Sequence, residues 1–208
     1  MSTRRLIVGL TGGIASGKSQ VRKYFQQLGA VVVDVDQVAH EVYLPGKPAW
    51  KKIVEVFGKE ILYPDQTINR EKLGKIIFPD ERKRKNLNRL LHPYIAEALK
   101  ESIKEKAQVA QQGIVLVEGA IILEQRWIPM DRVIIVLSEP EQQRERLMKR
   151  DRLSREEAEV RISAQSPWAE MIKQADFVID NRRTEEEAQK QVGQVWQELK
   201  SIATTNRK

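Results

Sequence analysis

The sequence predicts an α/β protein: a parallel five-stranded sheet flanked by helices, interrupted once by a helical insertion. Three observations predict it. Short, near-continuous apolar runs alternate with stretches of helical period, the pattern of strands covered on both faces. A glycine-rich stretch, Gly12-Gly13-Ile14-Ala15-Ser16-Gly17-Lys18-Ser19, joins the first run to the first helix. Between the second and third runs, residues 37–112 carry mostly helical patterning with apolar faces to bury, which predicts an inserted lobe rather than a linker.

The elements follow in order. Leu6–Leu10 reads as a buried strand, and Val21, Tyr24, Phe25 and Leu28 recur at helical spacing until Gly29 stops the helix. Ala30–Asp34 is a second strand, ending in Asp34-Val35-Asp36. Inside the insertion, Trp50, Ile53, Val54 and Phe57 mark one helix face, closed by Gly58. Leu87, Leu90, Leu91, Tyr94, Ile95, Ala98 and Leu99 mark a longer helix, which Pro93 is expected to break or kink near His92. Ile114–Glu118, Arg132–Leu137 and Phe177–Asp180 are the remaining strands. Ser138-Glu139-Pro140-Glu141 and Ser154-Arg155-Glu156-Glu157 read as capping boxes opening two helices. Val192, Val195, Trp196, Leu199 and Ile202 form the core stripe of the last one.

Composition bounds the function. The chain of 208 residues, 41% hydrophobic and 31% charged, is long enough for a substantial core and reads as one unit, 1–208. It has no cysteine, which excludes disulfides and thiolate metal sites. Its apolar runs are too short to span a bilayer, and the opening segment lacks a signal-peptide core, so a cytoplasmic protein without membrane attachment is expected. The formal net charge is +7, yet the basic residues are interleaved with acids. With four each of Trp, Tyr and Phe, no basic stretch is backed by stacking aromatics, and no nucleic-acid partner is expected. The denser cluster Arg82-Lys83-Arg84-Lys85 with Arg89 reads as a solvated helix face.

The glycine-rich stretch fills every fixed position of Gly-x-x-x-x-Gly-Lys-Ser, the phosphate loop. Its glycines let backbone N–H groups turn toward an anion, and the helix beginning near Lys18 points its positive end there. Lys18 can reach the β- and γ-phosphates, and the Ser19 hydroxyl can bind the accompanying Mg²⁺. A nucleoside triphosphate site follows, with its acceptor open.

Several residues could carry transfer. Asp34 and Asp36, two apart on an extended segment, would point to one side. If the chain turns between them, one can approach Mg²⁺ while the other takes a hydroxyl proton; Asp36 could instead be a helix N-cap. Glu118, ending the third strand, is either a metal-shell acid or an ordinary strand-end carboxylate. Arg146 and Arg150 share a helix face, and Arg161 follows in the next helix. These arginines would neutralise charge as a phosphoryl group leaves, or else lace a surface with Arg–Glu pairs. His40 and His92 are too few and too scattered for a metal cluster, and His92 beside Pro93 reads first as structural.

Taken together the motifs resemble the dephospho-coenzyme A kinases over about Ile7 to Val195. The marks are Gly9-Leu10-Thr11-Gly12-Gly13-Ile14 into Gly17-Lys18-Ser19, Leu28-Gly29-Ala30 before Asp34-Val35-Asp36, and Pro45-Gly46. Further marks are Phe57-Gly58, Asn69-Arg70-Glu71-Lys72-Leu73-Gly74, Leu91-His92-Pro93 and Gln143-Arg144-Glu145-Arg146. Arg150-Asp151, Arg161 to Gln165 and Ala175 to Asn181 close the series. The resemblance implies a P-loop kinase fold with residues 37–112 as a helical acceptor-binding insertion and residues 144–166 as a helical lid. It implies transfer of the γ-phosphate of ATP, with Mg²⁺, to the 3′-hydroxyl of dephospho-CoA by a monomer or weak oligomer. Asp36 would be the base, Lys18 the phosphate-binding lysine, and Arg146 and Arg150 lid residues. Asp36, His92 and Arg161 would face the acceptor, and Asn181 would lie near adenine or simply turn the chain after a strand.

Two departures stand out. The family commonly has Gly where this chain has Ala15, which a right-handed backbone would tolerate. Its Asp-x-Pro-Leu-Leu-Phe-Glu becomes Glu118-Gly119-Ala120-Ile121-Ile122-Leu123-Glu124, with a longer acid and no proline. Two other functions are weighed against this one. Another small-molecule or nucleoside monophosphate kinase would share the loop. Against a nucleotide-dependent switch or nucleic-acid-binding regulator, the guanine signature Asn-Lys-x-Asp does not occur in the chain and the basic residues form no aromatic-backed groove.

Overall fold

The computed structural model describes residues 5–120, 122–125, 127–163 and 168–205. Among them the order is β1 (Leu6–Gly12), α1 (Lys18–Gln27), β2 (Val31–Asp34), α2 (Val35–Glu41) and α3 (Pro48–Phe57), followed by a 3-10 turn (Lys59–Ile61). Then come α4 (Arg70–Ile77), α5 (Glu81–Val109), β3 (Ile114–Glu118), α6 (Ile122–Gln125) and β4 (Arg132–Leu137). The chain ends through α7 (Pro140–Asp151), α8 (Arg155–Ser163), α9 (Trp168–Ile172), β5 (Phe177–Asp180) and α10 (Glu185–Thr205). Two compact units result: Met1–Asp34 with Ile103–Lys208, and Val35–Ser102.

In the first unit all five strands are parallel, in the order β2-β3-β1-β4-β5. One sheet face presents Leu6, Val8, Leu10, Ile114, Leu116, Ile134, Val136 and Ile179 to α1 and α10. Those helices answer with Val21, Tyr24 and Phe25 and with Val192, Val195, Trp196 and Leu199, all buried. Phe25 and Trp196 meet ring to ring at 6.3 Å. Period-2 alternation sends Val115, Val117 and Ile135 to the other face, and these too are fully buried. A sheet covered on both faces needs apolar residues at successive positions, and that is why the strands stand out in the sequence.

The second unit is helical. Its core is Ile53, Phe57, Ile61, Ile68, Leu73 and Leu87, contributed by α3, the 3-10 turn, the segment that follows it, α4 and α5. Asn69 caps α4 by accepting from the Lys72 N–H at 3.0 Å. Gly58 takes φ 84° where α3 stops.

Several expectations are corrected. β1 continues two residues past Leu10 to Gly12 because its far end pairs with β4. Pro93 does not break α5, which is continuous from Glu81 to Val109. The proline ring is exposed and the helix carries the lost Arg89 carbonyl bond, sustained by anchors on both sides, Leu87, Ile95 and Leu99. The first capping box is shifted by one residue: Glu139 is the N-cap of α7, its N–H donating to Gln142 Oε1 at 3.2 Å. The second is as expected, with Ser154 and Glu157 bonded reciprocally. Part of the expected lid, residues 164–166, lies outside the described residues. None of the described helices is long and apolar enough to cross a membrane.

Because Pro93 is exposed inside a continuous helix, Pro93→Ala restores a donor to the Arg89 carbonyl without opening a cavity. It should stabilise the protein by about 1 kcal/mol, the helical gain being partly offset by a freer unfolded chain. Chemical denaturation checks this through a higher midpoint at unchanged m-value.

Candidate active site

The site grows from the end of β1. Loop residues Gly12, Gly13 and Ser16 are buried, Ile14, Ala15, Gly17 and Lys18 are half-buried, and Ser19 is exposed. Glycine is required at two of these positions. A Cβ on Gly12 would lie 2.4 Å from the Val136 carbonyl oxygen, and Gly17 caps α1 at φ 97° with Asn181 Nδ2 2.1 Å from where a Cβ would stand. Ala15 corrects an expectation: its φ is 54°, left-handed and not right-handed, a conformation for which glycine is the easier residue.

The loop is tied down from three sides. Asn181, just past β5, donates from Nδ2 to the Ser16 carbonyl at 2.8 Å, and its own N–H reaches the Leu137 carbonyl at 2.8 Å. The side-chain amide of Gln191 in α10 brackets the Asp180 backbone, accepting from its N–H at 2.8 Å and donating to its carbonyl at 3.0 Å. Hydrogen bonding to Arg182 holds the Asp180 carboxyl below the usual aspartate range. Across the loop, the Gly119 N–H donates to the Leu10 carbonyl and the Thr11 hydroxyl to the Ala120 carbonyl, each at 3.2 Å. Lys18 folds its ammonium over the loop, donating to the Gly12 and Gly13 carbonyls at 2.9 Å each.

Arg146 in α7 directs Nη1 at the Ala15 carbonyl, 3.4 Å away, and is thereby brought to the loop. Arg150 and Arg161 are brought to each other through Asp151. That carboxylate accepts from Arg150 Nε at 2.7 Å and Nη2 at 3.0 Å, and from Arg161 Nη1 at 3.0 Å. The bond from Arg150 is the largest reason the Asp151 carboxyl lies below its ordinary range. Arg144, with ion pairs to Glu141 and to Glu159 of α8, fastens the two helices together.

Glu118 is buried at the end of β3, opposite Asp34 at the end of β2. Arg22 Nη1 stands between them, 2.8 Å from Asp34 Oδ2 and 2.9 Å from Glu118 Oε2. Asp34 and Asp36 do not share an extended segment, since the strand ends at Asp34 and α2 starts at Val35. The chain turns between the two acids, and Asp36 is an exposed residue of the first turn of α2 rather than its N-cap. His92 is exposed on α5.

For Mg²⁺, Ser19, Glu118 and Asp34 offer oxygen only, the donor chemistry of a hard cation that takes most of its shell from phosphates and water. Among the described residues no group of three or more His, Asp and Glu could hold a metal by itself. The residues therefore fit a cation carried in with a nucleotide.

Sequence reasoning missed Arg22, although its place four after Lys18 and three after Ser19 puts it on their helix face. It also missed Tyr43 and Arg70 in the second unit, which have no periodic signal. Arg70 Nη2 donates to the Tyr43 hydroxyl at 2.6 Å, and the His40 ring meets Tyr43 edge-on at 5.4 Å. Tyr43, Arg70 and Phe78 line a mostly apolar cavity of about 170 Å³ in that unit.

A parallel sheet of this strand order, with a phosphate loop, a lysine over its rim and arginines from the following helices, defines a P-loop kinase. The comparisons narrow the class. The dephospho-CoA kinase family model matches residues 6–187. The dephospho-CoA kinase of Bacillus anthracis is 44% identical over 180 residues, which is 86% of this chain and 90% of that one. Among solved structures, TT1252 from Thermus thermophilus superposes with a TM-score of 0.81 at 26% identity, covering 94% of this chain and 97% of that one. Dephospho-CoA kinase from Campylobacter jejuni does so at 0.67 and 27%, with the same coverage. This chain belongs to the dephospho-CoA kinase family.

The left-handed Ala15 carries a cost of about 1 kcal/mol that glycine would not. Ala15→Gly, after allowance for a more flexible unfolded chain, should raise stability by about 0.5 kcal/mol and the thermal midpoint by about 1–2 °C. Differential scanning calorimetry reads the shift.

Proposed function

We propose that this chain transfers the γ-phosphoryl group of ATP to the 3′-hydroxyl of dephospho-CoA, giving coenzyme A and ADP. The observation that carries the proposal is the glycine loop with the Lys18 ammonium over its carbonyls, in a member of this family.

In this reaction the acceptor oxygen attacks the γ-phosphorus as the bond to the β–γ bridging oxygen breaks, and ADP leaves. Asp36 takes the hydroxyl proton; its exposed position in the first turn of α2 is compatible with meeting a substrate. Loop N–H groups and the α1 N-terminus hold the phosphates, and Lys18 moves from loop carbonyls to phosphate oxygens, exchanging one set of acceptors for stronger ones. Arg146, already at the loop, neutralises charge on the transferring group, and Arg150 and Arg161 supply more from the lid. Ser19, with Glu118, would hold Mg²⁺, which would supply charge neutralisation to the phosphates. Asn181 orders the loop and borders the adenine, while Asp36, His92 and Arg161 contact the acceptor, received by the helical insertion. The interleaved surface charge suits a cytoplasmic enzyme, monomeric or weakly associating, that needs neither nucleic acid nor a membrane.

Coupled ADP release with dephospho-CoA, AMP and shikimate tested in parallel should give turnover with dephospho-CoA above the other two; no turnover with it defeats the proposal. Asp36→Asn should lower kcat by about 10²–10⁴-fold with ATP affinity within a few-fold of the parent. Lys18→Ala should lower kcat and also weaken ATP binding, measured by calorimetric titration.

A further inference from the structure

Arg22 performs a task that the loop motif does not require. It shares a face of α1 with Lys18 and Ser19, and helical side chains lean toward the helix N-terminus. That lean carries its guanidinium toward the carboxyl ends of β2 and β3. There a single nitrogen, Nη1, donates to both Asp34 and Glu118, at 2.8 Å and 2.9 Å. The two acids are register partners on adjacent strands, with side chains 33% and 11% exposed. Like charges directly opposed on neighbouring strands repel, and a positive charge between them relieves the repulsion. Arg22 sets such a charge between them.

Position 118 fits this arrangement. The extra methylene of Glu118 extends its carboxylate by about 1.5 Å relative to aspartate, the length of one carbon–carbon bond. Glu118 meets the guanidinium from the end of β3 as Asp34 does from the end of β2, so the acid kept at this position has a partner within the unit.

We propose that Arg22 is a positioning residue that clamps Asp34 and Glu118 and lowers their attraction for a divalent cation, so that tight cation binding waits for nucleotide phosphates. This rests on the kinase reading only for its purpose, since the clamp itself is a charge arrangement within one unit. It also gives Glu118 a partner before any metal arrives.

Mn²⁺ titration followed by electron paramagnetic resonance, on the nucleotide-free full chain, tests it. The parent should bind Mn²⁺ weakly, and Arg22→Met should bind it about tenfold more tightly, as expected when a cation is removed from beside a divalent ion in a half-buried site. Arg22→Lys, which keeps the charge, should stay near the parent, and Arg22→Met with Glu118→Gln should lose the gain. Equal or weaker Mn²⁺ binding by Arg22→Met overturns the proposal, as does a gain that survives Glu118→Gln. Arg22→Gln serves as a second neutral variant should Arg22→Met fail to fold by circular dichroism. The titration uses no acceptor, so failure of dephospho-CoA turnover and failure of the clamp are separately visible.

Discussion

β1 is bonded on both edges, to β3 through Leu6–Leu10 and to β4 through Val8–Gly12, and the rest of the first unit depends on that double pairing. A strand buried among other strands must satisfy its backbone donors and acceptors within the protein. Parallel pairing does so and, because every strand runs the same way, gathers the strand ends at one edge of the sheet. The phosphate loop leaves β1 there, with Glu118 on one side and Leu137 on the other. Asn181, one residue beyond β5, can then reach the Ser16 carbonyl, although 165 positions separate them.

The electrostatics follow from the same edge. A glycine loop and the start of α1 favour anions, and Lys18 is held above the loop by its carbonyls. On the β3 side, the ends of β3 and then β2 present acids, each accepting from Arg22. On the β4 side α7 sends Arg146 to the loop, while Arg150 and Arg161 are gathered on Asp151. Positive and negative groups thus occupy neighbouring strand ends.

The strands were legible because burial on both faces leaves an unbroken apolar run, and β3, β4 and β5 have the limits expected from the sequence. The loop was legible because its residue types answer a chemical demand at fixed spacing. Corrections fall where a distant partner decides. β1 runs on to Gly12 because β4 offers a partner, and α5 passes through Pro93 because buried side chains lie on both sides of it. Ala15 is left-handed in a loop whose neighbours are tied down by Asn181, Gly119 and Lys18.

By itself the sequence determined the class of fold, the phosphate loop and the residues able to serve it, since periodicity and local chemistry are properties of neighbouring positions. Only the tertiary structure decided which charges meet. Arg146 meets the loop; Arg150 and Arg161 meet at Asp151; Arg22 joins Asp34 to Glu118, 96 positions away from it in the chain. Such pairings depend on which strand ends lie side by side, and strand order is set by the packing of the whole sheet rather than by any local run of residues.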